Sequence, residues 1–301
     1  MIKSIKVINP SGESLKMELG KPEQSGFLIE HIDGLGPVKA TMNTSKLANY
    51  HGVIYNSSYL GSRNINITLR FMESVKESIE DVRHKSYKYF PINQQIRLII
   101  ETDTRTVETT GIVEDNPVDI FNRIEKTVIP ILCPDPFLYS VSDSITTFTG
   151  ISPKFKFPFS NKTTEPELHF GDIDTRHEAN VFYKGDYETG CTITINALDD
   201  LEGNVEIHNL TDSIFMKLDT AKIPNGILTG DTITIETSPK HKSIMLLRDG
   251  KKINILNALA KNTKWFVLRK GNNLFAYRTE VEADINKLYF DIKNKVVYEG
   301  V

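Results

Sequence analysis

Along the first half of the chain, stretches of period two surround one stretch of helical period. In RNINITLRFM the residues Ile65, Ile67, Leu69 and Phe71 alternate with Asn64, Asn66, Thr68 and Arg70, which predicts a half-buried strand. SVKESIEDVRHKSYKYF follows it. There Ser74 with Glu77 three residues on has the form of a capping box, Val75, Ile79, Val82 and Ser86 recur at helical spacing, and Pro91 stops the run. One amphipathic helix of about four turns is expected. QIRLIIET, TRTVETTGIVED and DIFNRIEKTVIPILC read as three more strands, with Ile120, Ile124, Val128 and Leu132 sharing one side of the last.

After Tyr139 the helical period disappears. CTITINA, GNVEIHNL, SIFMKLD, GDTITIET, SIMLLRDGKKINIL, KWFVLRKGNNLFAYR and KLYFDIKNKVVYEG read as strands, two of them folded on themselves at Asp249-Gly250 and at Gly271-Asn272-Asn273, where positive φ costs least. NILNALAKNTK, residues 254–264, has room for one short helical turn. Short strands at this spacing predict an all-β sandwich. The expected organisation is therefore mainly β in two domains: an α+β domain with one helix over residues 1–145, and a β-sandwich over residues 146–301. The boundary falls near residues 140–160, and ISPKFKFPFS reads as a linker or as a strand docking one domain on the other. No internal repeat is visible.

Composition narrows the function classes. A chain of 301 residues exceeds the usual reach of one hydrophobic core. With 39% hydrophobic and 25% charged residues it has the make-up of an ordinary folded protein. The net charge of −3, with both signs interspersed, leaves no basic footprint for a phosphate backbone, so nucleic acid is not an expected partner. Cys133 and Cys191 fall in different domains, which argues against a disulfide framework and for a reducing compartment. Lys3, Lys6 and Pro10 interrupt the amino terminus, so it does not read as a secretory signal, and no stretch reaches the roughly 20 apolar residues of a membrane span. The N-x-[ST] triplets at Asn66 and Asn209 are taken as chance.

Candidate chemistry is thin. Cys133 opens CPDPFLYS, beside Asp135, and an adjacent carboxylate raises a thiol pKa where a nucleophile needs it lowered. A small buried residue at a strand end, with Pro134 and Pro136 ending the pairing, is the expected role. HFGDIDTRH places His169, Asp172, Asp174 and His177 within nine residues. An extended strand would send the histidines and the aspartates to opposite faces, so a solvated polar turn is expected rather than a metal site. Turns are likewise expected after His31, at Ile32-Asp33-Gly34, and at Asp199-Asp200. Glycine-rich phosphate loops, G-x-S-x-G, H-E-x-x-H and repeated C-x-x-C are missing. No catalytic, cofactor or metal residue is predicted, and the chain reads as a non-enzyme. What stands out is NTSKLANYHGVIYNSSYLGSR, residues 43–63, a polar loop carrying Tyr50, Tyr55 and Tyr59. Tyrosine among glycine, serine and asparagine is suited to protein contact, so these three are the candidate inter-subunit or partner residues.

The order of IDGLG, YHGVIYNSSYLGSRNINITLRF, a helix and a strand ending in CPDPFLY resembles the amino-terminal domain of the phage distal tail protein family. GNVEIHNLTDSIFMKL, GDTITIET, IMLLRDGKKINILNAL and TKWFVLRKGNNLFAYR are similar to that family's carboxy-terminal sandwich. The resemblance covers nearly the whole chain. It implies a ring or belt domain, usually in six copies, that joins the tail tube protein to the central tail hub, and a peripheral sandwich that is galectin-like or carbohydrate-module-like in shape. It further implies a structural role without cofactors, possible contact with receptor-binding proteins, and a place in the virion tail tip after assembly in the host cytoplasm. Gly61 and Arg63 at the start of one strand, and Asp135-Pro136-Phe137 at the end of the ring domain, carry over as fold markers. Cyclic head-to-tail contact needs two unlike surfaces on one subunit, which a small domain with strand edges and a tyrosine-bearing loop can supply.

Two rival readings remain. One is a carbohydrate-binding adhesion module presenting Trp265, Phe266 or Tyr277 to a glycan; since Trp265 and Val267 face away from Phe266 and Leu268, one of these faces must be core. The other is a glycosidase with carboxylates far apart in sequence.

Overall fold

Alternation, with little helix, builds both halves of the computed structural model, which describes residues 1–49, 51–73, 77–153, 171–175 and 177–301. The chain divides into two units, residues 1–142 together with 297–301, and residues 143–296.

In the first unit, β1 (Ile2–Ile8) and β2 (Ser14–Glu18) precede a one-turn helix, α1 (Pro22–Ser25), and then β3 (Phe27–Asp33), β4 (Ala40–Ser45), β5 (Ile54–Leu60) and β6 (Arg63–Phe71). The helix α2 (Ile79–Tyr89) follows, then β7 (Gln95–Thr102), β8 (Thr106–Val113), β9 (Lys126–Cys133) and β10 (Leu138–Ser140). Antiparallel pairing orders the main sheet β2-β1-β7-β8-β9-β6-β3, and β10 adds to β8. The final strand of the chain, Val297–Tyr298, pairs with β10 and so returns to this unit. Inward residues from strands at both ends of the order, Met17 on β2 and Phe27 on β3, share one core with Ile67, Leu98 and Ile131, so the sheet rolls around it. Each such side chain contributes roughly 1.5–3 kcal/mol by leaving water.

The strand predicted at Ile65–Phe71 is present with the expected face inward. The helix begins a turn later than its sequence suggests. Its cap is Ser78, whose hydroxyl accepts from the Asp81 N–H while the Asp81 carboxylate accepts from the Ser78 N–H, and the helix runs for 11 residues. Ser74 and Val75 lie outside the described residues; Glu77, their proposed partner, instead accepts from Lys85 Nζ at 3.0 Å. The predicted strand through DIFNRIEKTVIPILC is corrected too. It starts only at Lys126, and its buried row is Thr127, Ile129, Ile131 and Cys133, while Ile120, Ile124 and Val128 are exposed.

The second unit comprises β11 (Ser144–Thr147), β12 (Thr149–Pro153), β13 (Gly171–Thr175), β14 (Glu178–Tyr183), β15 (Thr192–Ala197), β16 (Val205–Asn209) and β17 (Ile214–Leu218). It continues with β18 (Thr232–Glu236), β19 (Ser243–Arg248), β20 (Lys251–Asn254), β21 (Gly271–Thr279) and β22 (Leu288–Asn294). A six-stranded sheet, β11-β22-β15-β18-β19-β20, and a four-stranded one, β14-β21-β16-β17, enclose a common core that includes Ile195, Ile235, Phe275 and Phe290. The all-β sandwich is present. Asp249 and Gly250 have φ of 49° and 73°, the left-handed pair a two-residue hairpin requires, and a 3-10 turn spans Leu256–Ala258.

The second predicted hairpin is not formed. Among the described residues, 264–270 join no ladder beyond an isolated bridge between Leu268 and Thr189. Asn273 explains this: its amide accepts from the Arg269 N–H at 3.0 Å and donates to the Arg269 carbonyl at 2.8 Å, giving the segment a side-chain substitute for strand pairing. Elsewhere Asp284 is fully buried and accepts from the N–H groups of Glu202 and Gly203 and from Lys287 Nζ, all at 2.9 Å.

Candidate assembly surfaces

The projecting part of the first unit is rooted by one buried cation. Arg63, 1% exposed, donates from Nε to the Pro136 carbonyl at 2.8 Å, from Nη1 to the carbonyls of Gly34 and Gly36 at 2.5 and 2.7 Å, and from Nη2 to the Glu299 carbonyl at 2.7 Å. Burial lowers its pKa, while Cys133 and Asp135 oppose that shift. Four carbonyl oxygens suit the planar guanidinium, whose donors fan outward in one plane. Gly34 sits at φ +84°, and a Cβ there would lie 1.8 Å from the Asn64 carbonyl, so the turn into β4 closes against β6 only with glycine. The carboxy terminus joins the same knot: the Val301 N–H donates to the Leu35 carbonyl at 3.1 Å, and Arg105 lies over the Tyr298 ring.

From this root β4 and β5 rise as a separate two-stranded sheet. The segment expected to be a polar loop is therefore a β-hairpin arm. Its strands pair from Ala40 opposite Leu60 to Ser45 opposite Ile54, with a bulge where the register shifts at Asn43/Thr44. Asn43 Nδ2 donates to Ser57 Oγ at 3.0 Å and Asn56 Nδ2 to Ser45 Oγ at 2.6 Å. Both faces meet solvent, and Met42, Leu47, Val53, Ile54, Tyr55 and Tyr59 are all exposed, the two tyrosines at 60% and 58%. Tyr50 lies outside the described residues.

A second apolar area occupies the outer side of β9 and the turns before it. Phe121 is 95% exposed, and Ile112, Ile120, Ile124 and Val128 are exposed as well. A shallow groove beside them is lined by Thr68, Pro117, Val118, Asp119, Lys126 and Val128. Glu125 pairs with Arg83 at 3.1 Å beneath this area, and Lys126 with Glu30 at 2.6 Å. The sequence signal for the patch was present in the spacing of Ile120, Ile124 and Val128, read there as one side of a strand.

The remaining sequence candidates are structural. Cys133 is buried at the end of β9, and its thiol pKa is raised, chiefly by burial and only secondarily by Asp135. Cys191 is pushed up to about 12 by burial. Of HFGDIDTRH, His169 lies outside the described residues, Asp172 and Asp174 fall within β13 rather than a turn, and His177 packs edge-on against Tyr277 at 5.4 Å. Among the described residues no group of three or more His, Cys, Asp or Glu side chains is placed to hold a metal. His31 sits on β3, its Nε2 2.9 Å from Asp33 Oδ1, and Gly34 makes the turn after it. Asp200 accepts from the N–H and hydroxyl of Thr229, which hold its carboxyl below the usual range. Asn209 is buried, its side chain bonded to Asp212 at both ends. Phe266 and Tyr277 belong to the sandwich core, and Trp265 is half-buried with Lys242 over its ring, so these three do not form the aromatic platform a glycan would stack on. No helix of the described residues is long and apolar enough to cross a membrane.

Residues 18–133 match the phage tail protein RIFT-related domain. The fold is similar to that of the SPP1 phage Dit protein (gp 19.1), with a TM-score of 0.64 at 15% identity over 97% of this chain and 99% of that one. Chains of the phage P2 baseplate in its activated conformation also align, one from the calcium form (TM-score 0.48, 12% identity, 98% and 99% coverage) and one from the strontium form (0.47, 13%, 97% and 98%). No curated protein matches. The resemblance to phage distal tail proteins read from the sequence is borne out by the domain match and the shared fold.

Proposed function

We propose that this chain, which carries a phage tail protein RIFT-related domain and has the fold of a phage distal tail protein, closes into a ring of six copies at the tail tip. The ring joins the tail tube protein to the central hub and so to the receptor-binding parts of the virion, assembling in the host cytoplasm. A structural role in the tail or baseplate follows from the family likeness. SPP1 Dit is described as a paradigm of the hub adsorption apparatus in Gram-positive infecting phages, and the same kind of apparatus is the setting proposed here.

The observation that carries the ring is the pair of unlike exposed apolar areas on one unit, the arm and the outer side of β9. An isologous dimer needs one self-complementary patch, whereas head-to-tail contact needs two different ones and closes into a ring when the rotation permits. Exposed apolar patches rimmed by polar residues mark sites of protein contact. The role is structural rather than enzymatic. Electron cryomicroscopy of the tail that incorporates this chain tests the proposal: six copies at the junction of tube and hub are expected, and density for the fold elsewhere, or at a junction filled by another protein, would overturn it.

A further inference from the structure

Independently of the ring, we propose that the outer face of the four-stranded sheet in the second unit binds a neutral saccharide, one sugar ring stacking on Phe182 while its neighbouring hydroxyls bond the side-chain amides of Asn180 and Asn272.

Strand alternation brings these three residues together. On β14 the inward row is Val181 and Tyr183, so Asn180 and Phe182 stand on the other side, roughly 7 Å apart along the strand. Antiparallel pairing sets Asn272 of β21 opposite Phe182, and Leu274 opposite Asn180. Phe182 is 57% exposed and lies outside the sandwich core. Packing of the sandwich does not call for it. Across the strands Asn180 Nδ2 donates to Asn272 Oδ1 at 2.8 Å, which fixes both amides beside the ring. An amide carries two N–H donors and an oxygen with two lone pairs. Asn180 Oδ1 and both protons of Asn272 Nδ2 therefore stay open to a ligand, with no other partner among the described residues.

The backbone beneath this face is held from the core side. Asn273, 1% exposed, donates from Nδ2 to the carbonyls of Val181 at 3.3 Å and Gly271 at 3.2 Å. With its two bonds to Arg269 it clamps the start of β21 to β14, and groups fixed in advance lose little freedom on binding.

Chemistry selects the ligand. A sugar offers an apolar C–H face to an aromatic ring, and hydroxyls that both donate and accept, which matches an exposed phenylalanine beside a donor and acceptor pair of amides. An apolar protein surface laid over the same place would leave the open amide groups unpaired, a costly arrangement. Charge points to a neutral ligand. No charged side chain stands among Phe182, Asn180, Asn272 and Leu274, and Glu178 and Lys184, of opposite sign, flank them along the chain, both exposed. The two bases before β21 are faced by acids, Arg269 by Asp212 at 2.9 Å and Lys270 by Asp186 at 3.8 Å.

Biolayer interferometry of the full-length chain tests this. The probes are polyacrylamide conjugates of glucose, galactose, mannose, rhamnose, N-acetylglucosamine and N-acetylgalactosamine, with polyglycerol phosphate as the anionic probe. Binding to at least one of the sugar conjugates is expected. Phe182→Ala and Asn272→Ala each weaken it by about tenfold, and Phe182→Tyr, which keeps the ring, restores it. Thermal melting of all three variants is expected to match wild type, because both positions are exposed. No binding to any sugar conjugate, binding to polyglycerol phosphate alone, or sugar binding that both alanine variants leave intact would overturn the site.

Discussion

Arg63 and Pro136 lie 73 positions apart, yet the Nε–H of the one donates to the carbonyl of the other at 2.8 Å, tying the start of β6 to the segment that leaves β9. The same guanidinium holds Gly34, Gly36 and Glu299. Removing it strands several buried carbonyls, each a penalty of about 1–3 kcal/mol when left unsatisfied. Arg63→Ala is therefore expected to destabilise the first unit by roughly 3 kcal/mol or more, read as a lowered denaturation midpoint. Arg63→Lys is expected to recover little, because one ammonium cannot reach four acceptors spread across the guanidinium plane.

The last five residues belong to the first unit although the preceding 154 form the second. Deleting Val297–Val301 removes the pairing of Val297 and Tyr298 with β10, the Glu299 acceptor of Arg63 and the Val301 bond to Leu35. Differential scanning calorimetry is expected to show the transition of the first unit moving down while that of the sandwich stays in place. An unchanged first transition would mean that the terminal strand contributes nothing to that core.

Acid sensitivity of the sandwich is expected to centre on Asp284. Burial raises its pKa, but the Lys287 ammonium and the N–H groups of Gly203 and Glu202 outweigh burial, and the net shift is downward. A carboxyl whose pKa is lower folded than unfolded gives stability that is present above its unfolded value and lost as pH falls through its folded value. Asp284→Asn is expected to cost about 2 kcal/mol at neutral pH and to flatten the loss of stability below roughly pH 4. A variant with the wild-type acid profile would assign that loss to other carboxylates.

How legible each element was depended on how much of its pattern came from burial in its own chain. β6 was plain because every second side chain enters the core, and the Asp249-Gly250 turn because its two positive φ values favour those residue types. The start of β9 was placed too early for a physical reason: Ile120 and Ile124 continue the spacing of Val128 but are exposed in the turns before Lys126, while the buried row begins with Thr127. Apolar residues placed for another surface look like core when read alone. The β4–β5 arm escaped notice as a sheet because a hairpin wet on both faces has no alternation to read, although Tyr55 and Tyr59 were picked out by their setting. Gly61 and Arg63 were marked by family likeness, but the acceptors of Arg63 are backbone carbonyls and leave no side-chain signature. The return of Val297 and Tyr298 to the first unit likewise has none, since KNKVVYEG reads as one more strand of the sandwich.

The solution mass of the purified full-length chain, followed by multi-angle light scattering across a wide concentration range with the peak fractions imaged in negative stain, tests the central claim most directly. The account predicts a closed species of six chain masses seen as six-fold rings. A particle of one chain mass at every concentration, or a two-fold dimer that grows no further, would contradict it.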